Sequence, residues 1–298
     1  MPYTGIQTNK QPYVRPVIPP ARRITAICVL GVALAACGSA DGARQVRAEA
    51  TAVSVLPPAP RPPVLAPGPG GLTPVFEHGP RTLGKSVALT FDADMTADEG
   101  PRAAAGEHFD NPDLIATLRA LKVPATVFMT GRWADEYPTE AQSLGRDPQF
   151  EVANHSYSHH AFTDDCHGLP AVPAAEMRSE VTRAYASLRR AGVPHPMPYF
   201  RFPGGCYDRQ ALRALNGVGV TAVQWDVVGG DAFATDAGAV TRQVLTRVRP
   251  GSVVVMHCSR SAAPGTERVV QSLVPQLRGR GYRFVKVSEL IGQSGGRR

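Results

Sequence analysis

The stretch Ser86–Asp94, SVALTFDAD, decides the fold prediction because it has the pattern of a buried strand that ends in acidic groups. An uncharged run of apolar and β-branched residues is typical of a strand covered on both faces, as in parallel sheets. Two carboxylates, Asp92 and Asp94, follow at its end. Because open α/β sheets and β/α barrels place their chemistry at the carboxyl ends of strands, the stretch predicts a site at this edge.

Six further apolar runs have strand character and alternate with helical patterns. Asn111-Pro112 supplies a cap and a first-turn proline for the first predicted helix. Alternating strands and helices predict a parallel α/β architecture, and about seven strands predict a barrel or near-barrel. The runs are ATVFMT, FEVANHS, YFRFP, GVTAVQWD, SVVVMH and YRFVKV, and the helix faces are Leu114, Ile115, Leu118 and Leu121; Met177, Val181, Ala184, Tyr185 and Leu188; and Val269, Leu273 and Leu277.

The formal charge of +7 lies mostly in the terminal segments. Residues 1–80 hold 7 basic against 3 acidic residues, and Arg297 and Arg298 end the chain, whereas residues 81–296 hold 23 against 22. A nucleic-acid-binding protein gathers its basic residues on the folded body. The placement of charge therefore argues against nucleic acid as a partner.

The N-terminal residues have the pattern of an export signal. Residues 1–21 are polar and rich in proline, and we interpret them as a disordered extension, unless translation starts downstream. Residues 22–37 contain a basic pair, the apolar run Ile24–Ala36, which is short for a bilayer span, and Cys37. Leu34–Gly38 resembles a bacterial lipobox, which predicts lipid attachment at Cys37. The alternatives are an exported protein with an incidental cysteine and a retained signal anchor.

The remaining chain divides into a tether, one domain and a tail. Residues 38–80 contain PPAPRPPVLAPGPGG, and because proline locks φ and lacks a donor, we predict a stiff, extended tether. Residues 81–291 carry the strand and helix patterns with no second shift in composition, which predicts a single domain. Residues 292–298 are predicted to be a disordered tail.

Three cysteines fall in the predicted domain, where export would permit disulfides. Cys166 and Cys206 lie in loops after two strand ends, so a bridge between them is within reach if those ends meet. Cys258 would then be left as a free thiol. Metal ligation by these cysteines is the alternative, but none has the CxxC spacing of a common zinc site.

The polar residues at the predicted strand ends have the composition of a hydrolytic metal site. His155 and His159 are four residues apart and can share one ion, and a carboxylate would complete three ligands with one position open. A second carboxylate can act as a base, and His257 can protonate a leaving group. Each residue alone also fits a loop feature, a salt bridge or a core histidine. Their joint placement at strand ends favours a metal-dependent hydrolase.

These motifs resemble, in order, those of the polysaccharide deacetylases with a NodB homology domain, carbohydrate esterases that remove N-acetyl and sometimes O-acetyl groups from sugars. TFDAD resembles the TFDD motif, NHSYSH the H-[ST]-x-x-H motif and RFPGG the RxP motif; GGDAF takes the place of DxxDW, and VVMH resembles LxxH. The resemblance covers about residues 84–291. It implies a distorted (β/α) barrel and a divalent cation, Zn²⁺ or else Co²⁺, Mn²⁺ or Ni²⁺.

The resemblance also implies a role for each motif. Asp92 would be the catalytic base, Arg201 would orient it, and Asp231 would be the partner of Arg201. His257 would be the general acid. The implied metal ligands are Asp94, His155 and His159, and the implied substrate contacts are Trp225, Phe202, Pro203, Tyr207 and Val255.

Three departures from the family pattern bear on the site. Ala93 separates two aspartates that are adjacent in the family, so a local turn must bring Asp94 to the metal; otherwise the site would have two histidines and water. The tryptophan of the fourth motif is Ala232 here, and the late leucine is Val255. Trp225 is therefore expected to refill the wall of the acyl pocket, whose shape bears on which acyl group fits.

The resemblance implies removal of N-acetyl groups from an N-acetylated glycan, and we expect the protein to be a monomer. Extracytoplasmic anchoring by lipid, with secretion as the alternative, favours peptidoglycan because the anchor and tether would hold the enzyme beside the cell wall. An O-acetyl esterase acting on xylan is one alternative. A glycan-binding lipoprotein without catalysis is another, which the altered first motif and the missing tryptophan would suit.

Overall fold

The computed structural model describes residues 61–82 and 84–295. The predicted extension, the signal segment with Cys37 and the first part of the tether lie outside the described residues, as do residues 296–298. Within the described ranges, no helix combines the length and the apolar character needed to cross a membrane.

The core of the fold is one curled sheet of parallel strands that forms a partial barrel, surrounded by helices. In the described ranges the strands are β1 (Val75–Phe76), β2 (Ser86–Ala93), β3 (Ala125–Met129), β4 (Phe150–Asn154), β5 (Tyr199–Phe200), β6 (Thr221–Val223), β7 (Val227–Val228), β8 (Ser252–His257) and β9 (Arg283–Phe284). The strand order is β1-β6-β5-β4-β3-β2-β8-β7, with β9 paired to β2. All seven predicted runs contain a strand, and the predicted α/β barrel-like class is confirmed.

Strand β2 lies inside the sheet and is buried along its whole length. Its outward-facing side chains pack under helices, which explains why the sequence reads as an uninterrupted apolar run instead of an alternating one. The register places Asp92 beside His257 on β8. The carboxyl end of β2 is therefore next to the carboxyl end of β8, although 165 residues separate the two side chains along the chain.

The helices cover the sheet with the apolar faces that the sequence predicts. Asn111 caps α2 by accepting a hydrogen bond from the Leu114 amide, with Pro112 in the first turn. Buried residues of α5 and α8 recur at helical spacing and pack against the strands. The helices are α1 (Glu99–Ala104), α2 (Pro112–Ala120), α3 (Gly131–Glu136), α4 (Pro138–Arg146), α5 (Met177–Arg190), α6 (Arg209–Ala214), α7 (Ala237–Arg247), α8 (Thr266–Gly279) and α9 (Val287–Gln293).

The folded unit begins before residue 81, so the prediction of a tether through residue 80 is wrong for residues 61–80. Strand β1 pairs with β6, and Phe76 is buried in the core. The Tyr199 hydroxyl donates a hydrogen bond to the Pro63 carbonyl at 2.8 Å. The sequence did not predict this strand because it has only two residues and lies in a proline-rich segment. Helix α9 likewise continues two residues into the predicted tail.

Candidate active site

The carboxyl ends of the parallel strands bring together polar side chains that are far apart in sequence. β2 ends at Asp92 and Asp94, β4 leads into His155, β5 into Arg201, and β8 ends at His257. Because all these strands run the same way, their ends share one rim of the sheet. The predicted clustering of these residues follows from the strand direction.

Asp92 and Arg201 form a buried ion pair at the centre of this rim. Arg201 Nη1 donates to Asp92 Oδ1 at 2.6 Å, and the guanidinium has no solvent exposure. Burial alone would raise the pKa of Asp92, but the charge and hydrogen bond of Arg201 and the charge of His257 outweigh it and hold the pKa below its usual value. Asp92 is therefore ionised at neutral pH and can accept a proton.

The guanidinium of Arg201 is held on every side. Its Nε donates to the Val223 carbonyl at 3.2 Å and Nη2 to the Gln224 carbonyl at 3.4 Å. The group also lies over the Phe128 ring, 3.9 Å from its centroid. These contacts fix the orientation of the carboxylate that Arg201 holds.

His155 presents an unprotonated nitrogen to the Asp92 carboxylate. Its Nδ1 lies 2.9 Å from the Arg201 carbonyl, which can only accept, so Nδ1 carries the hydrogen. Nε2 therefore has a free lone pair, and it lies 3.7 Å from Asp92 Oδ2. Burial lowers the pKa of His155 to about 4, so the ring is neutral. A neutral imidazole fixed through its other nitrogen is the usual state of a metal ligand.

Asp94 reaches the second histidine despite the intervening Ala93. Its Oδ2 lies 3.5 Å from His159 Nε2, because residues i and i+2 of a strand face the same side. The His155 and His159 rings are 5.0 Å apart between centroids. Among the residues that the structure describes, none is a hydrogen-bond partner for the buried Asp94 Oδ1. A buried, unpartnered carboxylate oxygen is costly unless it meets a donor or a cation.

The donor set fits a divalent cation. Two ligands of one tetrahedral zinc, each bonded at about 2.1 Å, lie roughly 3.4 Å apart, close to the 3.5 and 3.7 Å of the two histidine–aspartate pairs. Within the described residues, no three of the histidine nitrogens and aspartate oxygens of this site all lie within 4.8 Å of one another. They form two pairs, His155 with Asp92 and His159 with Asp94. The free lone pair of His155 and the unpartnered oxygen of Asp94 supply the chemistry that a cation requires.

His257 is paired with Asp231. The Asp231 carboxylate accepts from the His257 amide at 2.8 Å and lies 3.1 Å from His257 Nδ1. Burial would lower the pKa of His257, but the hydrogen bond and charge of Asp231 outweigh it and raise the pKa to about 9. The imidazolium is therefore present at neutral pH. Its Nδ1 contacts Asp231, and its Nε2 takes no part in this contact.

The predicted pairing of Asp231 with Arg201 is wrong. Asp231 also accepts from the Thr266 hydroxyl at 2.6 Å, so its oxygens are taken by β8 and α8. Asp231 follows β7, which neighbours β8 and lies away from β5 in the strand order. Strand order, which the sequence does not display, decides that this carboxylate meets His257.

Comparison with known proteins bears on the identity of this site. The sequence profile named Polysaccharide deacetylase matches residues 79–223. This match spans just under half of the chain and makes it similar to the polysaccharide deacetylases. A chitooligosaccharide deacetylase from Bradyrhizobium sp. (strain ANU 289) is 28% identical over 218 residues, which cover 69% of this chain and 90% of that protein.

Two further relatives extend the comparison. A peptidoglycan-N-acetylglucosamine deacetylase from Bacillus cereus is 27% identical over 209 residues, covering 70% of this chain and 69% of that protein. The crystal structure of the Bc1960 peptidoglycan N-acetylglucosamine deacetylase aligns with a TM-score of 0.62 at 24% identity, covering 76% of this chain and 96% of that one. This structural likeness shows the shared fold.

The predicted substrate contacts of the deacetylase domain lie at different depths. Trp225 and Tyr207 are half-buried, whereas Val255 is nearly buried two residues before His257 on the same side of β8. Phe202 is fully buried and packs edge-on against Phe162 and Phe200. The prediction that its side chain contacts substrate is therefore wrong, because the ring belongs to the core. Pro203 is buried as well.

Sequence analysis missed Phe233, which the deacetylase domain exposes near the site. Its side chain is 81% exposed, and its backbone has a φ of +57°. The Phe233 amide donates to the Ala262 carbonyl at 2.7 Å, which joins the loops after β7 and β8. An aromatic residue in left-handed backbone that remains exposed points to function. The sequence feature that could have indicated Phe233 is its position two residues after Asp231 in GGDAF.

The loops that follow His155 and Arg201 are joined by a disulfide. Cys166 and Cys206 are bonded, with Cα atoms 5.9 Å apart, in agreement with the bridge considered from the sequence, and Cys258 is free and buried. His167 lies beside the disulfide. Because both sulfurs are bonded to each other, they are not metal ligands, and the alternative of a cysteine metal site does not hold for this structure.

Removing the disulfide is expected to destabilise the domain. The disulfide links two residues that are 40 positions apart in sequence. Cys206→Ala, which removes the disulfide, should therefore lower the free energy of unfolding by roughly 2–4 kcal/mol. Urea unfolding followed by tryptophan fluorescence would measure the change. Cys258→Ala, which leaves the bridge intact, is the control. An equal loss in both variants would contradict a stabilising role for the bond.

Proposed function

We propose that this chain is a metal-dependent deacetylase that removes N-acetyl groups from glycans, with peptidoglycan as the favoured substrate. One arrangement carries the proposal. An ionised Asp92 and a protonated His257 lie on neighbouring strands in direct register, beside a pair of histidines with metal-ligand chemistry. A base and an acid with separated pKa values on either side of a cation suit hydrolysis of an amide.

Asp94, His155 and His159 would hold the cation. The deacetylases of this family generally depend on a divalent metal, and the two histidine–carboxylate pairs support such dependence here. Zn²⁺ is favoured by the nitrogen ligands, with Co²⁺, Mn²⁺ or Ni²⁺ as alternatives. When bound, the cation would lower the pKa of a water molecule and polarise the carbonyl oxygen of the acetamide.

The remaining steps belong to the protein side chains. Asp92, oriented by Arg201, takes a proton from the attacking water. His257, held by Asp231 through Nδ1, gives a proton from Nε2 to the departing amine nitrogen. The water oxygen bonds to the carbonyl carbon of the acetamide, the C–N bond breaks, and the products are acetate and a glucosamine unit. Asp92 and His257 are each held by a charged partner before substrate binds, which favours both transfers.

The names of the relatives support N-acetylglucosamine units in the substrate, since one is a chitooligosaccharide deacetylase and another acts on peptidoglycan N-acetylglucosamine. The sequence pattern supports peptidoglycan further. The basic pair, the apolar run and Cys37 suit an exported, lipid-anchored monomer on the outer face of the cell membrane. Lipid attachment is tested by mass spectrometry of the membrane-extracted protein and of Cys37→Ala.

Acetate release tests the proposed function directly. Purified protein is incubated with peptidoglycan, with chitooligosaccharides and with acetylated xylan, each with and without a chelator. We expect acetate from the first two substrates, loss of release with the chelator and recovery on adding Zn²⁺. Release from xylan alone would identify an O-acetyl esterase instead. Glycan binding without any acetate would identify a binding protein without catalysis.

Phe233 is expected to contribute to substrate binding. Phe233 follows Asp231, the partner of His257, by two residues, and its exposed aromatic face can stack on the apolar face of a sugar ring. Phe233→Ala should raise KM for chitooligosaccharides by about 3- to 10-fold with little change in kcat, since Phe233 has no acid or base role in the proposed steps. Val228→Ala, at the other exposed large apolar residue of the described ranges, is the control. Unchanged KM would exclude this role.

A further inference from the structure

The loop that carries both imidazoles has a strained backbone. Between β4 and α5, Ser156 has a φ of +68° and His159 a φ of +60°. Residues other than glycine rarely adopt this left-handed region, because the Cβ atom approaches the carbonyl oxygen. Two such residues within four positions persist only where the surroundings hold them.

A single carboxylate oxygen supplies much of that hold. Glu180, on α5, has its Oε2 placed to accept from the Tyr157 amide at 3.1 Å, the Ser158 amide at 2.9 Å and the Ser158 hydroxyl at 2.8 Å. Tyr157 and Ser158 are buried and lie between the two histidines. Without Glu180, these two amides would be buried donors without this partner, which is unfavourable.

Other hydrogen bonds also hold this loop. The Asn154 side chain accepts from the Ser156 amide at 2.9 Å, and the Ser156 hydroxyl accepts from the His159 amide at 3.1 Å. The amides of Gly131 and Arg132 donate to the Ser156 and Tyr157 carbonyls. Glu180 and Arg183 tie the middle of the loop to α5, since the Arg183 guanidinium lies over the Tyr157 ring, 3.5 Å from its centroid. Of these two residues, Glu180 is the one that accepts from the loop amides.

We propose that Glu180 is a positioning residue, which sets the His155–His159 loop so that both imidazoles face the carboxylates of β2 before a cation binds. The proposal rests on the metal dependence given under the proposed function. Glu180 acts through the backbone between the histidines and has no contact with the reacting groups. The partners that orient metal ligands commonly contribute 10- to 100-fold to metal affinity.

The effect of Glu180 should be local. Helix α5 is anchored by its own apolar face, which includes Met177, Val181 and Leu188. Removing a half-buried carboxylate from its first turn leaves this packing in place. Loss of Glu180 should therefore loosen the loop and weaken cation binding, while the helix and the sheet persist.

Zn²⁺ binding to metal-free protein, followed by isothermal titration calorimetry, tests the proposal. We expect Glu180→Ala to bind Zn²⁺ about 10- to 100-fold more weakly than the wild type. Glu180→Gln should stay within about threefold, because its amide oxygen can still accept the three hydrogen bonds. The control is Glu176→Ala, which removes an exposed carboxylate that makes no hydrogen bond or ion pair within the described residues.

A second measurement needs no metal. Amide hydrogen exchange at Tyr157 and Ser158 should be faster in metal-free Glu180→Ala than in the wild type and in Glu176→Ala, with unchanged circular dichroism. If Glu180→Ala does not fold, Glu180→Asp, whose carboxylate is one methylene shorter, takes its place in both measurements with the same expected direction. Wild-type affinity or wild-type exchange in the variant overturns the proposal.

The outcomes separate this proposal from the proposed function. A wild-type protein that binds Zn²⁺ and releases acetate, together with a Glu180→Ala variant of equal affinity, overturns only the role of Glu180. A wild-type protein that binds none of Zn²⁺, Co²⁺, Mn²⁺ or Ni²⁺ overturns the metal dependence and the role of Glu180 with it.

Discussion

Replacing Asp92 with Asn is expected to lower kcat for deacetylation by about 10³-fold. The amide cannot take the proton of the attacking water, and general-base catalysis typically contributes about 10²- to 10⁴-fold. The rest of the site, including the His155 and His159 pair, stays in place. Steady-state acetate release from chitooligosaccharides measures the loss, and Zn²⁺ titration shows whether the cation still binds. Full activity in Asp92→Asn would remove the base assignment.

The same substitution should also destabilise the fold. Asp92 is the carboxylate paired with the fully buried Arg201 in the described residues. A neutral amide at this position would leave that guanidinium without a counter-charge, and breaking one side of a buried ion pair commonly costs about 3–5 kcal/mol. Activity must therefore be referred to the folded fraction, determined by urea unfolding. Asp164→Asn, which removes an exposed carboxylate, controls for the change in net charge.

Replacing Asp231 with Asn is expected to move the alkaline limit of activity to lower pH. In the proposed mechanism His257 acts in its protonated form, so activity is expected to fall as pH rises through its pKa, which the Asp231 carboxylate raises to about 9. Removing that charge lowers the pKa of His257, and the alkaline limb of kcat/KM should shift down by roughly one unit or more. At pH 8 the variant should be about 2-fold slower if the pKa falls by one unit and about 10-fold slower if it falls by two.

The shift distinguishes a charge effect from a structural one. The amide oxygen that Asp231→Asn introduces can still accept from the His257 amide, so the backbone contact is kept. A bound cation would lower the pKa of His257 in the wild type and the variant alike, and the difference between them would remain. A pH profile of Asp231→Asn with the wild-type alkaline limb would show that another group supplies the proton.

The elements of the fold were largely predictable from local patterns. The apolar run of β2 and the helical spacing in α5 and α8 have their origin in burial, and burial imposes its period on the sequence directly. Strand β1 escaped prediction because a two-residue strand has too few positions to show a period. It lies in proline-rich sequence and is held by β6, a partner far along the chain.

The site was predictable as a set of residues. Parallel strands deliver their carboxyl ends to one rim, so Asp92, His155, Arg201 and His257 could be grouped without coordinates. Which of these side chains contact each other was harder to predict from the sequence. Asp231 was assigned to Arg201, and the structure gives it to His257, since β7 lies beside β8. Phe202 was assigned to the substrate and belongs to the core.

The sequence by itself therefore determined which candidate side chains meet at one edge of a parallel sheet, because strand composition and strand direction are local properties of the chain. Only the tertiary structure decided which of these side chains contact each other. Strand order places Asp231 on His257, and the packing of α5 places Glu180 under the histidine loop. These contacts join residues that are distant in sequence, and no local pattern encodes a distance between them.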